Sequence, residues 1–124
     1  MTQLEICINA DDLQQLEANV AAAWQGGASR IELCADMQQQ GMTPSLIAMQ
    51  KARRAFADRP GLLVMVRFRS DDQLQTKAEL VAMQQAISQA ADAGADGVVL
   101  GLLTTQRGLD VAALELLISQ AKRL

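Results

Sequence analysis

A repeat of about 30 residues constrains the fold of this chain more than any other feature. Each repeat predicts a short apolar strand followed by an amphipathic helix, and the four strands begin near residues 4, 31, 62 and 98. Apolar strands that alternate with helices are typical of a parallel sheet with right-handed crossover connections. Because the chain has 124 residues, half of them hydrophobic, we expect one compact α/β domain that spans residues 1–124.

Turn and capping residues predict where the elements begin and end. Asp11 or Asp12 is expected to cap the first helix, which Gly26 and Gly27 end. Pro44 is expected at the first position of the second helix, where its missing N–H has no cost. The predicted strands cover residues 4–9, 30–36, 62–70 and 97–103, and the predicted helices cover residues 11–27, 43–56, 75–94 and 110–124.

Strands one to three carry apolar residues on one face only. In an open doubly wound sheet both faces are covered by helices, so the strands read as nearly unbroken apolar runs. Here apolar and polar residues alternate, which is typical of a closed (β/α)₈ barrel with a functional layer inside. We therefore predict half of a TIM barrel, with four of the eight βα units and these inward-facing residues: Glu5, Cys7, Asn9, Glu32, Cys34, Asp36, Arg67 and Arg69.

Half a barrel would have two open parallel edges, and open edges favour pairing with another chain. We therefore expect a homodimer, or another chain that covers the edges of the sheet. Two alternatives stay open: the chain is a truncated piece, or its sheet remains open with a partner on the polar face.

Composition excludes several classes of function. The net charge of −3, a pI near 4.8 and only 2% aromatic residues make nucleic acid an unexpected partner. No apolar run approaches the roughly 18–20 residues that span a bilayer, and the N-terminus lacks the basic start and apolar middle of a signal peptide. We therefore expect a cytoplasmic protein without a membrane partner or a disulfide scaffold. The chain has no histidine, which excludes His-dependent triads and imidazole metal ligands within it.

The first candidate site consists of Glu5, Glu32, Arg67 and Arg69. If all four side chains face inward, they form either a structural ion network or a ligand site. In the second case Arg67 and Arg69 would hold a small anionic or carbonyl metabolite at the carboxyl ends of strands, with either glutamate as acid or base. Gly101 would leave room for an inward neighbour or for that ligand. The chain would then be a TIM-barrel-type enzyme.

Cys7 and Cys34 form the second candidate site. Neighbouring parallel strands lie about 4.8 Å apart, so two inward thiols in similar layers could approach each other. Soft thiolates favour Cu(I), with Met37, Met42 or Met65 as further sulfur ligands. The alternative is two free cysteines that pack as small hydrophobic residues. Periodicity predicts which way the side chains face but not the distance between them, so both interpretations stay open.

Five segments of the chain occur in a familiar order and spacing: LEICIN, GGASRIELCAD, GMTPSL, VMVRFR and GADGVVLGLLTTQRGLD. They resemble the amino-terminal half of the CutC family, the copper homeostasis proteins. The resemblance implies a (β/α)₈ barrel, a role in copper tolerance in the cytoplasm, and Cu(I) ligation by Cys7 and Cys34. After the third strand the chain diverges, because RFRSDDQLQT replaces a family segment that contains a proline, a glycine pair and aromatic residues. The family's inward acids, its arginine pair and the glycine of its fourth strand match Glu5, Glu32, Arg67, Arg69 and Gly101.

Overall fold

The computed structural model describes residues 2–73, 76–122 and 124. In these ranges four strands alternate with four α-helices, and a short 3₁₀ helix, Met37–Gln39, follows the second strand. None of the helices in these ranges is both long and apolar enough to cross a membrane. The strands are β1 (Glu5–Asn9), β2 (Arg30–Cys34), β3 (Leu62–Met65) and β4 (Gly97–Val99), and the helices are α1 (Leu13–Gln25), α2 (Leu46–Phe56), α3 (Lys77–Asp92) and α4 (Val111–Ala121).

The four strands form one parallel sheet in the order β1-β2-β3-β4. A helix follows each strand along the chain, so the structure is built from four successive βα units. This confirms the predicted α/β fold class, and the strand order is that of neighbouring units in a (β/α)₈ barrel. Within the described residues β1 and β4 are the two edge strands.

The helices cover one face of the sheet and bury its apolar residues there. Because successive side chains of a strand point to opposite faces, the other face carries polar and thiol side chains on β1 and β2, and Leu63 and Met65 on β3. Each fully buried large apolar side chain contributes roughly 1.5–3 kcal/mol of hydrophobic stabilisation. The first core cluster, under β1 to β3, includes Ile8, Leu16, Val20, Ile31, Leu33, Met49, Phe56, Leu62 and Val64; the second, against α3 and α4, includes Val66, Met83, Ile87, Leu102 and Leu117.

The second helix begins later than predicted. Ser45 caps α2, because its Oγ accepts a hydrogen bond from the backbone N–H of Ala48 at 3.1 Å. Pro44 therefore lies before the cap rather than at the first helical position. The predicted start of α3 at residue 75 lies outside the described residues, and α3 follows the cap residue Thr76. Asp110 caps α4, because its Oδ1 accepts a hydrogen bond from the backbone N–H of Ala113 at 3.2 Å.

Strands β3 and β4 are shorter than the predicted ranges 62–70 and 97–103. β3 ends at Met65 and β4 ends at Val99, so Arg67 and Gly101 lie in loops at the carboxyl edge of the sheet. For β3 the reason is visible in the backbone of Arg67. Its N–H donates to Thr43 Oγ1 at 2.8 Å and its carbonyl accepts from Thr43 N at 3.0 Å, so the chain leaves the strand ladder here.

Asp96 holds the amino end of the sheet together. Its Oδ2 accepts hydrogen bonds from the backbone N–H groups of Gly61 and Leu62, both at 2.9 Å, and from Arg53 Nη1 at 3.1 Å. Gly61 has a φ of +108°, and a Cβ at that position would lie only 2.6 Å from the carbonyl oxygen of Ser29. Glycine is therefore required in the turn that Asp96 anchors.

Asp96→Ala should lower the free energy of unfolding by about 1–2 kcal/mol, because two backbone N–H groups and a guanidinium lose their acceptor. The Asp96 side chain is 39% exposed, so water compensates for part of the loss. Urea denaturation followed by circular dichroism measures the change. Asp58→Ala is the control, since Asp58 is exposed and has no hydrogen bond or ion pair among the described residues. An unchanged urea midpoint for Asp96→Ala would contradict the role of Asp96 in holding the amino end of the sheet together.

Candidate functional site

Cys7 and Cys34 meet on the face of the sheet that the helices leave uncovered. Cys7 lies in the middle of β1 opposite Glu32, and Cys34 is the last residue of β2, two positions beyond Glu32. The two residues of β2 point to the same face because side chains alternate along a strand. The sulfur atoms are 3.7 Å apart, with the thiol of Cys7 directed at Sγ of Cys34. The structure thus supplies the distance that periodicity could not.

The two thiols differ in exposure. Cys7 is exposed, whereas Cys34 is only 2% exposed. The backbone of Gly41 lies over Cys34, since a Cβ at Gly41 would be 3.4 Å from its Cβ and 3.5 Å from its Sγ. Burial raises the pKa of the Cys34 thiol strongly, and the neighbouring Cys7 and Glu32 raise it further. Cys34 is therefore a protonated thiol at neutral pH.

The carboxylate of Glu32 lies beside this pair. Its Oε1 accepts a hydrogen bond from the Cys34 thiol at 3.5 Å. Burial raises the pKa of the Glu32 carboxyl, the Cys34 hydrogen bond opposes this rise, and Glu5 adds to it through a hydrogen bond and its charge. Glu5 also forms an ion pair with Arg30 at 2.9 Å. Arg30 was not among the predicted site residues. Its contact with Glu5 follows from the strand register, which places the two residues directly opposite each other.

Arg67 points into the loops at the carboxyl end of the sheet. Its Nε donates to Asp72 Oδ1 at 2.7 Å, and its Nη2 donates to the carbonyl of Ser70 at 2.9 Å. Its Nη1 donates to the carbonyls of Gln39 and Gly41 at 2.9 and 3.1 Å. Four of the five N–H donors of a guanidinium are therefore already in use.

Arg69 has different partners. Its guanidinium binds Asp71 through two bonds of 3.0 and 3.1 Å and contacts Glu79 of α3 at 3.4 Å. The paired guanidinium lowers the pKa of the Asp71 carboxyl. The structure thus brings Glu5 together with Glu32, but it brings neither of them to either arginine of the predicted cluster.

A cavity of about 290 Å³ lies at the carboxyl ends of β3 and β4. Arg67, Asp72 and Gly101 line it together with mostly apolar side chains. A Cβ at Gly101 would meet no atom within 4 Å, so this glycine borders open space. Binding of a small anion here stays a prediction. Of the five N–H donors of the Arg67 guanidinium, one would remain for such an anion.

The described residues contain no group of three or more Cys, Asp or Glu side chains arranged to hold a metal ion. Any metal site at Cys7 and Cys34 therefore starts from two sulfur atoms. Of the methionines predicted as additional ligands, Met65 ends β3 opposite Val99, Met42 pairs with Ala35 through the backbone, and Met37 begins the 3₁₀ helix. Their ligation of a metal stays a prediction.

Residues 2–124 match the model of the CutC family. The chain belongs to the CutC family. A CutC family protein of Bacteroides fragilis is 38% identical over 120 residues, which are 97% of this chain and 45% of that relative. A CutC family protein of Vibrio atlanticus is 37% identical over 123 residues, 99% of this chain and 47% of the relative. One from Agrobacterium fabrum is 45% identical over 112 residues, 90% of this chain and 41% of the relative. The chain thus spans about half the length of these curated relatives.

A solved structure extends the similarity to the fold. The crystal structure of a Streptococcus agalactiae protein named as a copper homeostasis protein, CutC, superimposes with a TM-score of 0.79 at 29% sequence identity. The match covers 98% of this chain and 56% of that chain. The four βα units therefore correspond to about half of that CutC protein, and the family predicted from the sequence is confirmed.

Iodoacetamide at pH 8 should label Cys7 more than about tenfold faster than Cys34, because the thiolate is the reactive form and Cys34 is both buried and held as a thiol. Peptide mass spectrometry after timed quenching measures the two rates separately. In denaturing urea the rates should become similar, which provides the control. Equal rates in the folded protein would show that Cys34 is not shielded as described.

Proposed function

We propose that this CutC family chain handles copper in the cytoplasm by binding Cu(I) through Cys7 and Cys34, without catalysis. The observation that carries the proposal is the 3.7 Å separation of two sulfur atoms on neighbouring strands. A relative whose structure is solved is named as a copper homeostasis protein, which also supports a role in copper handling. Soft thiolate ligands select Cu(I) over harder cations such as Mg²⁺ or Ca²⁺.

The donor set fits a soft metal ion. Two thiolates that share one ion at metal–sulfur distances of about 2.3 Å stand no more than about 4.6 Å apart, and 3.7 Å lies within that limit. A disulfide fits less well. Cys34 lies two positions beyond the partner of Cys7, so the two Cα atoms are expected about 8 Å apart, beyond the usual limit of about 6.8 Å.

Each thiol must lose its proton to act as a ligand. Glu32 Oε1 already accepts the hydrogen bond of the Cys34 thiol, so it is the nearest group that can receive that proton. Metal binding at this pair is therefore expected to release protons and to strengthen as the pH rises. When bound, Cu(I) would be held by the two sulfur atoms as cargo.

Anaerobic titration against a chromogenic Cu(I) chelator should give one Cu(I) per chain. Cys7→Ser and Cys34→Ala should each weaken the affinity at least about tenfold, because a single thiolate remains. Leu63→Ile, on β3 opposite Glu32, keeps both thiols and every sulfur atom and serves as the matched control for a change on the same face, with circular dichroism to show that each variant is folded. Equal binding by wild type and the Cys7→Ser/Cys34→Ala double variant would exclude the site.

We also propose that the chain acts as a self-associated half barrel, in which two copies complete each other. Beside the edge strand β4 lies a groove of about 470 Å³, lined by apolar side chains that include Val98, Leu100, Leu114 and Ile118. In a (β/α)₈ barrel the next βα unit occupies this position. The β1 and α1 of a second copy can supply that unit in the same parallel order, and a two-fold axis then closes both edges.

Light scattering on a size-exclusion column should therefore give twice the chain mass of 13.3 kDa over a range of concentrations. Ile118→Glu should shift the protein towards the monomer, because the side chain is 49% exposed and lines the groove. Ile47→Glu, at a position of α2 that is 56% exposed, is the matched control and should leave the mass unchanged. A folded monomer at every concentration would reject the second copy as the partner, independently of copper.

A further inference from the structure

The loop that follows β2 folds back over Cys34. Ala35 and Met42 exchange two backbone hydrogen bonds of 2.9 and 2.7 Å, so residues 35–42 form a closed loop. We call residues 35–42 the cover loop. Gly41 lies within it, placed so that a Cβ at this position would be 3.5 Å from the Cys34 sulfur. The low exposure of Cys34 therefore depends on where this loop lies.

The backbone of the cover loop is held in an unfavourable conformation. Asp36 and Gln40 have φ values of +47° and +66°, in the left-handed region that residues other than glycine rarely adopt. Gly41 follows with a φ of +98°. Such conformations persist only where surrounding contacts enforce them. The loop is therefore expected to change its path when its contacts are lost.

Arg67 supplies contacts of that kind. Its Nη1 binds the carbonyls of Gln39 and Gly41, while its backbone pairs with Thr43 just beyond the loop. Its own position is fixed by Asp72 and by the carbonyl of Ser70. Its side chain is only 14% exposed. Arg67 thus ties the loop after β3 to two carbonyl groups of the cover loop.

We infer that Arg67 is a positioning residue that fastens the cover loop over Cys34 and so controls access to the thiol pair. Arg67 then has a role other than binding a ligand. Access of thiol reagents to Cys34 is independent of copper. The part that concerns entry of Cu(I) rests on the function proposed above.

The test compares Arg67→Gln with the conservative Arg67→Lys and with Arg69→Gln, the matched control. Arg69 lies in the same loop but binds Asp71 and Glu79 instead of the cover loop. Without copper, the iodoacetamide rate of Cys34 should rise at least about fivefold in Arg67→Gln, since the loop opens locally. Cys7 should be unaffected, because it is already exposed.

Arg67→Lys should keep part of the protection of Cys34, because the ammonium group can still donate a hydrogen bond to a carbonyl of the cover loop. In Arg69→Gln, Cys34 should react at the same rate as in wild type.

The urea dependence separates local opening from loss of the fold. Opening of the loop exposes little surface, so the Cys34 rate in Arg67→Gln should hardly change at urea concentrations below the unfolding transition. A rate that climbs steeply with urea, an unchanged rate in Arg67→Gln, or an equal increase in Arg69→Gln would each overturn the inference. If Arg67→Gln does not fold, the same comparison of rates and urea dependence is made with Arg67→Lys.

A second readout concerns the metal. Transfer of Cu(I) from a chelator should be faster in Arg67→Gln than in Arg69→Gln. If wild type does not bind Cu(I) while the Cys34 labelling rate still rises in Arg67→Gln, the proposed function is rejected and the role of Arg67 in fastening the cover loop is supported. If wild type binds Cu(I) but the Cys34 labelling rate does not change in Arg67→Gln, the proposed function is supported and the role of Arg67 in fastening the cover loop is rejected.

Discussion

The parallel register of β1 with β2 is the constraint on which the candidate site depends. It sets Cys7 opposite Glu32 and leaves Cys34 one side-chain step further along the same face. A shift of β2 by one residue would turn Glu32 and Cys34 towards the helices, away from Cys7, and expose buried Ile31 and Leu33 instead. The hydrophobic core therefore enforces the register, and through the register it enforces the meeting of the thiols. Packing on one face of the sheet fixes the chemistry on the other.

The two ends of the sheet differ in what their polar residues do. At the amino end, away from the thiols, Asp96 accepts backbone and guanidinium hydrogen bonds that join β3 and β4 to α2. At the carboxyl end, Gly41 belongs to an irregular segment beside the thiol of Cys34, and Arg67 binds the carbonyl of Gly41. This division is typical of parallel βα folds, in which one end of the strands contributes stability and the other contributes function.

The sequence predicted directions well and distances poorly. Alternation along β1 and β2 was sufficient to place both cysteines on one face, and the repeat of βα units was sufficient for the fold class. The partners of Arg67 could not be predicted, because three of its acceptors are backbone carbonyls whose positions depend on loop paths. Neither could the burial of Cys34 beside Gly41, because the path of residues 35–42 includes left-handed residues such as Gln40 that no hydrophobic pattern indicates.

The separation of the core into two clusters has a consequence for how such a chain can diverge. Strands β1 and β2, which carry the thiols and their carboxylate neighbour, pack on the first cluster, whereas α4 packs on the second. Substitutions can therefore accumulate in the fourth βα unit while the pair of sulfur atoms keeps its geometry. The thiol pair on β1 and β2 and the edge formed by β4 and α4 can therefore be conserved independently, so that related chains can share one and differ in the other.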